Sequence, residues 1–155
     1  MSEEAPHIVC PHCNSVNRVP RVKDARAAKC GRCHQPLFTG RAVPASAESF
    51  ATHIQHNDIP VLVDFWAQWC GACKVMAPVY ERLAAELEPD VRLLKVDTEA
   101  APELVARYNI QAIPTLMLFK NGTVVARQAG AMNAEQLRSW LRQHAGSTLS
   151  AFQAG

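Results

Sequence analysis

Six cysteines in three Cys-x-x-Cys pairs constrain this chain more than any other feature of its sequence. Two thiols separated by two residues can share one metal ion, or they can open and close as a disulfide. Where thiols are kept reduced, such pairs indicate metal binding or redox catalysis rather than structural disulfides. The three pairs are Cys10/Cys13, Cys30/Cys33 and Cys70/Cys73.

The amino-terminal sequence predicts a reducing compartment. Residues 1–6 contain neither the basic segment nor the apolar segment of a secretory signal. No apolar run approaches the length that spans a bilayer. We therefore expect a cytoplasmic protein that does not bind membranes.

The first two pairs have the spacing of a zinc ribbon, since sixteen residues separate Cys13 from Cys30. Each pair can curl around a cation, and two such knuckles complete a tetrahedron of sulfurs. A segment of roughly forty residues also needs such a metal site to fold, because it cannot bury enough apolar surface unaided. His12 and His34 could replace a ligand, and two further redox pairs or metal-free thiols are the alternatives. We predict one zinc ion bound by four thiolates, those of Cys10, Cys13, Cys30 and Cys33.

The basic residues of this segment do not by themselves indicate nucleic-acid binding. Residues 1–41 hold seven basic and three acidic side chains, but four thiolates on one zinc ion offset about two of the positive charges. The segment also lacks the interleaved aromatic residues that stack on bases. Nucleic acid is therefore not an expected partner, and a ribbon that binds nucleic acid or another protein is kept as the alternative function.

Two prolines and a glycine between residues 35 and 45 indicate a domain boundary. We predict a zinc ribbon at 1–37, a linker at 38–45, a second domain at 46–146 and a flexible tail at 147–155. The apolar residues Leu37, Phe38 and Val43 suggest a linker that packs against the second domain.

The third pair lies between a predicted strand and a predicted helix. The apolar run Val61–Trp66 predicts a buried strand, and a helical pattern covers residues 72–87. Cys70 would begin that helix, where unpaired N–H groups and the helix dipole favour a thiolate. Cys73 follows about one turn later and can close on the first sulfur.

The rest of this domain predicts a mixed sheet with helices on both faces. Strand, helix and strand follow one another over residues 61–96, which indicates two parallel strands. A strand over residues 115–120 and the turn Asn121-Gly122 predict an antiparallel hairpin. Ser46 and Asn133 are expected to cap helices, and Pro78 lies inside the long one.

These motifs together resemble the thioredoxin family over residues 46–146, about two thirds of the chain. With the ribbon, the whole chain resembles the zinc-ribbon-bearing bacterial thioredoxin 2 type. The resemblance implies an α/β thioredoxin fold, a mixed central sheet flanked by helices, after a small zinc ribbon. It depends on residues in the family's order: Asp64, Trp66-Ala67-x-Trp69-Cys70-Gly71-x-Cys73-Lys74, Pro78, Lys95-Val96-Asp97, Ile113-Pro114-Thr115, Asn121-Gly122 and Gly130.

The resemblance implies an enzyme, a protein-disulfide reductase. Cys70 would be its nucleophile and Cys73 its resolving thiol. The expected partners are disulfide-containing proteins as substrates and an NADPH-dependent thioredoxin reductase as electron donor. The chain has no nucleotide-binding glycine motif of its own, so no bound nucleotide is expected. Zinc is the expected cofactor, and we expect a monomer.

Further roles follow from the same resemblance. Asp64 shares a strand face with apolar residues, so desolvation should raise its pKa. The family makes it the proton acceptor for Cys73, and a hydrogen-bonded structural aspartate is the alternative. Lys95 would modulate that carboxyl group, unless it is only a solvated lysine. The family has a cis proline that faces the cysteines, whereas most X–Pro bonds are trans. The implied substrate surface comprises Trp69, Gly71, Ala72, Ile113, Pro114 and Gly130.

One residue departs from the family pattern, because Gly71-Ala72 replaces the usual Gly-Pro between the cysteines. Alanine restores a donor N–H near the sulfurs, which should stabilise the Cys70 thiolate and make the couple less reducing. An oxidase or isomerase is therefore a rival chemistry, although the single redox pair and the absence of a signal segment disfavour it. A sensor whose ribbon loses zinc on oxidation is a further alternative.

Overall fold

The computed structural model describes residues 5–20 and 25–145. The amino-terminal part contains two antiparallel strands, β1 (His7–Val9) and β2 (Val16–Arg18), and a 3-10 turn, Ala25–Ala27. The first of these strands precedes the first knuckle, in a segment for which the sequence predicts no element. The predicted tail at 147–155 lies outside the described residues.

Within the described residues, the strands of the main sheet are β3 (Val43–Pro44), β4 (Val61–Trp66), β5 (Arg92–Asp97), β6 (Thr115–Lys120) and β7 (Thr123–Ala129). They lie in the order β3–β5–β4–β6–β7. β4 pairs in parallel with β5 and antiparallel with β6, which confirms the predicted mixed sheet. β6 and β7 form the predicted hairpin, whose turn residues Asn121 and Gly122 both have positive φ.

Two helices cover each face of this sheet. On one face, α1 (Ala47–His56) and α3 (Pro102–Arg107) pack around the buried Phe50. On the other, α2 (Gly71–Leu87) and α4 (Ala134–Ala145) bury Leu83 and Leu137. Ser46 caps α1 as expected, because its hydroxyl accepts a hydrogen bond from a backbone N–H of the first turn. Among the described residues, no helix has both the length and the apolar character that a bilayer crossing demands.

The segment predicted as a linker contributes to the main sheet. Within residues 38–45, β3 pairs in parallel with β5 at the edge of the sheet. Phe38, Ala42 and Val43 are buried, so their apolar side chains hold this segment against the second domain. Pro44 is compatible with this strand because an edge strand does not need every N–H as a donor.

The ribbon packs against the end of the main sheet where β4 and β5 begin. Ile8 and Leu37 form one buried cluster with Ile59, the residue two positions before β4. The Val9 N–H donates to Asn57 Oδ1 over 2.8 Å, just beyond the end of α1. The third cysteine pair follows β4 at its opposite end, so the ribbon and this pair lie at opposite ends of the strands.

Candidate redox and metal centres

The third cysteine pair begins α2. Cys70 caps the helix and Cys73 lies in its first turn, and a disulfide joins them with their Cα atoms 5.3 Å apart. The Cys73 N–H also donates to Cys70 Sγ over 3.1 Å. When the disulfide opens, this N–H and the positive end of the helix dipole face the first sulfur and stabilise its thiolate.

The loop before β6 faces the disulfide. Cys70 Sγ lies 3.7 Å from the carbonyl oxygen of Ile113, and the Ile113–Pro114 bond is cis. The Gly130 N–H donates to the carbonyl oxygen of Pro114 over 2.8 Å. Gly130 has a φ of 97°, which glycine adopts without the steric cost that a side chain brings. The structure therefore brings the carbonyl of Ile113 to the first sulfur, with Pro114 next to it in the chain and Gly130 hydrogen-bonded to Pro114.

An exposed apolar surface surrounds these residues. The Trp69 side chain is 67% exposed, and it lines a groove that it shares with Ile113 and Thr98. Gly71 and Ala72 lie in the first turn of α2, where Gly71 is exposed and has no atom within 4 Å of the position that a Cβ would take. The surface is open on the side of Trp69 and Gly71, although Cys70 itself is only 6% exposed.

Sequence reasoning missed two residues of this surface. Val75 is 74% exposed, although it is apolar and lies one turn beyond Gly71. An apolar residue that breaks the outer, polar face of α2 was the available signal. The indole N–H of Trp69 donates to Glu99 Oε2 over 2.7 Å, a long-range contact for which the sequence has no local signal.

Asp64, in β4, lies close to the second cysteine of the pair, since both line one pocket. Its side chain is buried, and Oδ1 has no hydrogen-bond partner among the described residues. Burial raises the pKa of Asp64 to about 7, and the positive charge of Lys95 partly opposes this effect. Asp64, Lys95 and Cys73 line one small pocket. The carboxyl group can therefore take up or release a proton near neutral pH, next to the second sulfur.

Lys95 is held near that pocket without forming an ion pair with Asp64. Its Nζ lies 3.9 Å from Glu81 Oε2 and 5.0 Å from the centre of the Trp66 ring. Contact with an aromatic face and a partly exposed carboxylate keeps the ammonium close to solvent. Its charge acts on the buried carboxyl group through space only.

Four cysteine sulfurs meet in the ribbon, and all lie within 4.8 Å of one another. The Sγ atoms of Cys10 and Cys33 are 3.6 Å apart, and those of Cys13 and Cys30 are 3.7 Å apart. Sulfurs bound at about 2.3 Å in a tetrahedron stand about 3.75 Å from one another. The cluster can therefore hold one metal ion of the size of zinc.

The surroundings of the cluster act on its thiols in opposite directions, since burial raises the pKa of Cys10 to about 12, whereas hydrogen bonds lower that of Cys30. His12 and Cys13 direct their backbone N–H groups at Cys10 Sγ over 3.3 and 3.5 Å. The second knuckle repeats this arrangement around Cys30 Sγ. The Ser15 hydroxyl lies 3.3 Å from Cys30 Sγ, and together with those backbone N–H groups it lowers the pKa of that thiol to about 5. His12 and His34, the alternative ligands, are exposed and are not part of the four-sulfur group.

Two family models match the chain in agreement with this arrangement. The model described as Thioredoxin matches residues 41–143. The model described as Thioredoxin 2, N-terminal, matches residues 9–35.

Curated relatives of the chain carry the same family name. Thioredoxin C-3 of Corynebacterium nephridii is 44% identical over 136 residues, which are 88% of this chain and 93% of that protein. The thioredoxin of Haemophilus influenzae is 43% identical over 95 residues, 61% of this chain and 89% of that protein. The thioredoxin of Porphyra purpurea is 43% identical over 96 residues, 62% of this chain and 90% of that protein.

Proposed function

This chain belongs to the thioredoxin family of protein-disulfide oxidoreductases, and we propose that it reduces protein disulfides with the dithiol of Cys70 and Cys73. The main support for the proposal is the position of Cys70 at the start of α2, where the Cys73 N–H donates to its sulfur over 3.1 Å. A disulfide with Cα atoms 5.3 Å apart at this position supports a pair that opens and closes.

The reaction proceeds by two exchanges of sulfur. The Cys70 thiolate attacks one sulfur of a substrate disulfide, so that a mixed disulfide forms and the other substrate sulfur leaves as a thiolate. Cys73 loses its proton and attacks Cys70 Sγ, which releases the second substrate thiolate. The substrate gains two electrons, and the Cys70–Cys73 pair is left oxidised. We infer that an NADPH-dependent thioredoxin reductase restores the dithiol, because the second exchange leaves no reductant in this chain.

Asp64 is the proposed acceptor for the proton of Cys73. Its pKa, about 7 as a result of burial, lets the carboxylate accept a proton at neutral pH. The pocket that both residues line supports this role. Lys95 acts on Asp64 by its charge alone, since its nearest carboxylate is that of Glu81, 3.9 Å away.

Protein substrates are proposed to bind along the loop before β6 as an extended segment. The carbonyl of Ile113 lies 3.7 Å from Cys70 Sγ, and the backbone of a bound segment can pair with it as a strand does. The exposed Trp69, directly before Cys70, and the exposed Val75, in the second turn of α2, are proposed to supply apolar contacts. Gly71, Ala72, Pro114 and Gly130 complete the surface and leave room for the substrate backbone.

The four ribbon cysteines are proposed to bind one structural zinc ion. Sulfur separations of 3.6 and 3.7 Å support tetrahedral coordination by Cys10, Cys13, Cys30 and Cys33. When bound, zinc supplies folding free energy to a segment with a small apolar core. We propose a cytoplasmic location, because a reducing compartment keeps all six thiols available for these two roles.

A turnover assay with metal analysis tests the proposal. Reduction of a protein disulfide by NADPH and a thioredoxin reductase is measured with the parent, with Cys70→Ser and with Cys73→Ser. The zinc content of each protein is measured as well. We expect Cys70→Ser to be inactive, Cys73→Ser to accumulate the mixed disulfide, and both to retain one zinc per chain. Ala106→Ser, which introduces a hydroxyl at an exposed position of α3, is the control for substitution itself. Full turnover by Cys70→Ser would refute the assignment of the nucleophile.

A further inference from the structure

A buried arginine joins the ribbon to the thioredoxin domain. Arg92, the first residue of β5, is 0% exposed. Its Nη1 donates to Glu88 Oε2 over 2.9 Å, and its guanidinium lies 5.1 Å from the centre of the Phe38 ring. A charge at this depth is destabilising unless its donors are bonded. The identity of the remaining acceptors therefore decides what this residue does.

The remaining acceptors of Arg92 are two backbone carbonyls, one at each end of the ribbon. Arg92 Nη2 donates to the carbonyl oxygen of Val9 over 3.0 Å and to that of Leu37 over 2.9 Å. Val9 directly precedes Cys10, a residue of the first knuckle, and Leu37 follows the second knuckle. One nitrogen thus bonds to chain segments that enter and leave the four-sulfur group.

The second knuckle connects to Leu37 by short backbone bonds. The Leu37 N–H donates to the carbonyl of Ala28 over 3.0 Å, and the Cys30 N–H donates to that of Gln35 over 2.9 Å. The bond from Leu37 to Arg92 therefore continues a ladder that contains the second knuckle. Opening of that knuckle would move the carbonyl on which Arg92 depends.

Glu88, the residue that caps the end of α2, also forms hydrogen bonds to the ribbon and to the segment that connects the two domains. Its Oε1 accepts a hydrogen bond from the Gly40 N–H over 2.7 Å. Its carbonyl oxygen accepts one from Arg26 Nε, a ribbon side chain, over 2.8 Å. The Arg92–Glu88 pair therefore contacts the ribbon, the connecting segment and the end of α2 at once.

We propose that Arg92 is a positioning residue of the metal centre, through which metal binding in the ribbon stabilises the thioredoxin domain. This inference depends on the proposed zinc site. With zinc bound, the knuckles hold both carbonyls in place, so Nη1 and Nη2 of Arg92 keep their acceptors, while its buried Nε has no hydrogen-bond partner among the described residues. When the metal is removed and the knuckles loosen, Arg92 loses two of its three acceptors inside the core. Because coupling between two sites is reciprocal, Arg92 must in turn strengthen metal binding by the ribbon, and we expect this to be seen as slower loss of the metal.

The sequence offers a convenient probe for this coupling. The three tryptophans, Trp66, Trp69 and Trp140, all lie in the thioredoxin domain. Unfolding followed by tryptophan fluorescence therefore reports on that domain and not on the ribbon. A change in its melting temperature on zinc removal measures how far metal binding reaches into the second domain.

The test compares the full-length parent with Glu88→Gln/Arg92→Met and with Arg107→Met. The double variant removes both buried charges together, and replacement of a buried ion pair by neutral groups generally preserves folding. The glutamine that Glu88→Gln introduces keeps a side-chain oxygen, so the hydrogen bond from the Gly40 N–H still has its acceptor. Arg107 is an exposed arginine of α3 and provides the matched control. Zinc release to a coloured chelator and the melting temperature with and without zinc are measured for each protein.

We expect the parent and Arg107→Met to lose several degrees of melting temperature when zinc is removed. The double variant should lose less than half as much and should release zinc about tenfold faster, as expected when hydrogen bonds from a charged donor are lost. A purely structural Arg92 would lower the melting temperature equally with and without zinc and would leave the release rate unchanged, which overturns the inference. A parent without zinc would overturn both the metal site and the coupling, whereas reductase turnover would still report separately on the Cys70–Cys73 pair.

Discussion

Replacement of Asp64 by asparagine should make the protein more stable at alkaline pH. The buried carboxyl group has an Oδ1 without a hydrogen-bond partner among the described residues, and burial raises its pKa from 3.8 to about 7. Between these two values the folded protein holds a proton that the unfolded chain releases. The free energy of unfolding therefore falls as pH rises through this window, and it stays low above pH 7.

The size of the effect follows from the same two values. At about 1.4 kcal/mol per pKa unit, the whole window corresponds to about 4 kcal/mol, of which the part above pH 5 is about 3 kcal/mol. Asparagine has nearly the same shape and no charge. Its buried amide donors cost about 1–3 kcal/mol, but this cost is independent of pH. The pH dependence of the unfolding free energy therefore separates the effect of the Asp64 charge from the constant cost of burying the amide.

Urea unfolding of the oxidised protein between pH 5 and pH 8.5 provides the measurement. We expect the parent to lose about 3 kcal/mol more than Asp64→Asn across this range. Glu103→Gln removes an exposed carboxylate of α3 and should follow the parent. Parallel curves for the parent and Asp64→Asn would refute the raised pKa. In the same variant, a resolving step slower by about tenfold or more would support Asp64 as the proton acceptor for Cys73.

Two further predictions concern the surface around Cys70. Ala72→Pro removes a donor N–H from the active-site turn and should lower the reduction potential, measured at equilibrium with glutathione; a parent potential equal to or below that of the variant would contradict the expectation. Trp69→Ala removes a side chain that is 67% exposed, so it should raise KM for a protein disulfide and leave the rate with a small-molecule disulfide unchanged. Equal losses with both substrates would exclude a binding role for Trp69.

The second domain could be predicted because its elements are encoded locally. The strand patterns at Val61–Trp66 and Thr115–Lys120 are continuous apolar runs with turn residues on each side, and β4 and β6 have those bounds. Asn121 and Gly122 themselves favour the turn between β6 and β7, and Ser46 itself supplies the cap of α1. The spacing of the four ribbon cysteines likewise predicted that their sulfurs would meet. Apart from the sixteen residues between the two ribbon pairs, the signal in each case lies within a few residues of the feature.

Features that depend on distant partners could not be predicted in this way. β1 has three residues, and it becomes a strand only because β2 pairs with it. β3 has two residues and depends on the edge of β5, which is some fifty residues away in the sequence. The sequence alone shows Arg92 only as a charge in a strand, because two of its three acceptors are the carbonyls of the distant Val9 and Leu37. Its position within the apolar run 91–94 was the available signal, because a cation there must be bonded or exposed.

The position of the ribbon also limits how the two groups of cysteines can influence each other. The ribbon contacts the start of β5 at Arg92, which pairs with Val61, whereas Cys70 follows the far end of β4. The six residues of β4 extend over about 16 Å, and disulfide exchange requires sulfurs in contact. The Cys70–Cys73 pair therefore cannot exchange electrons directly with the ribbon thiols of the same chain. Any influence of the metal on reduction must pass through the packing of β5 and α2, so it should alter the stability of the thioredoxin domain before it alters the chemistry of Cys70.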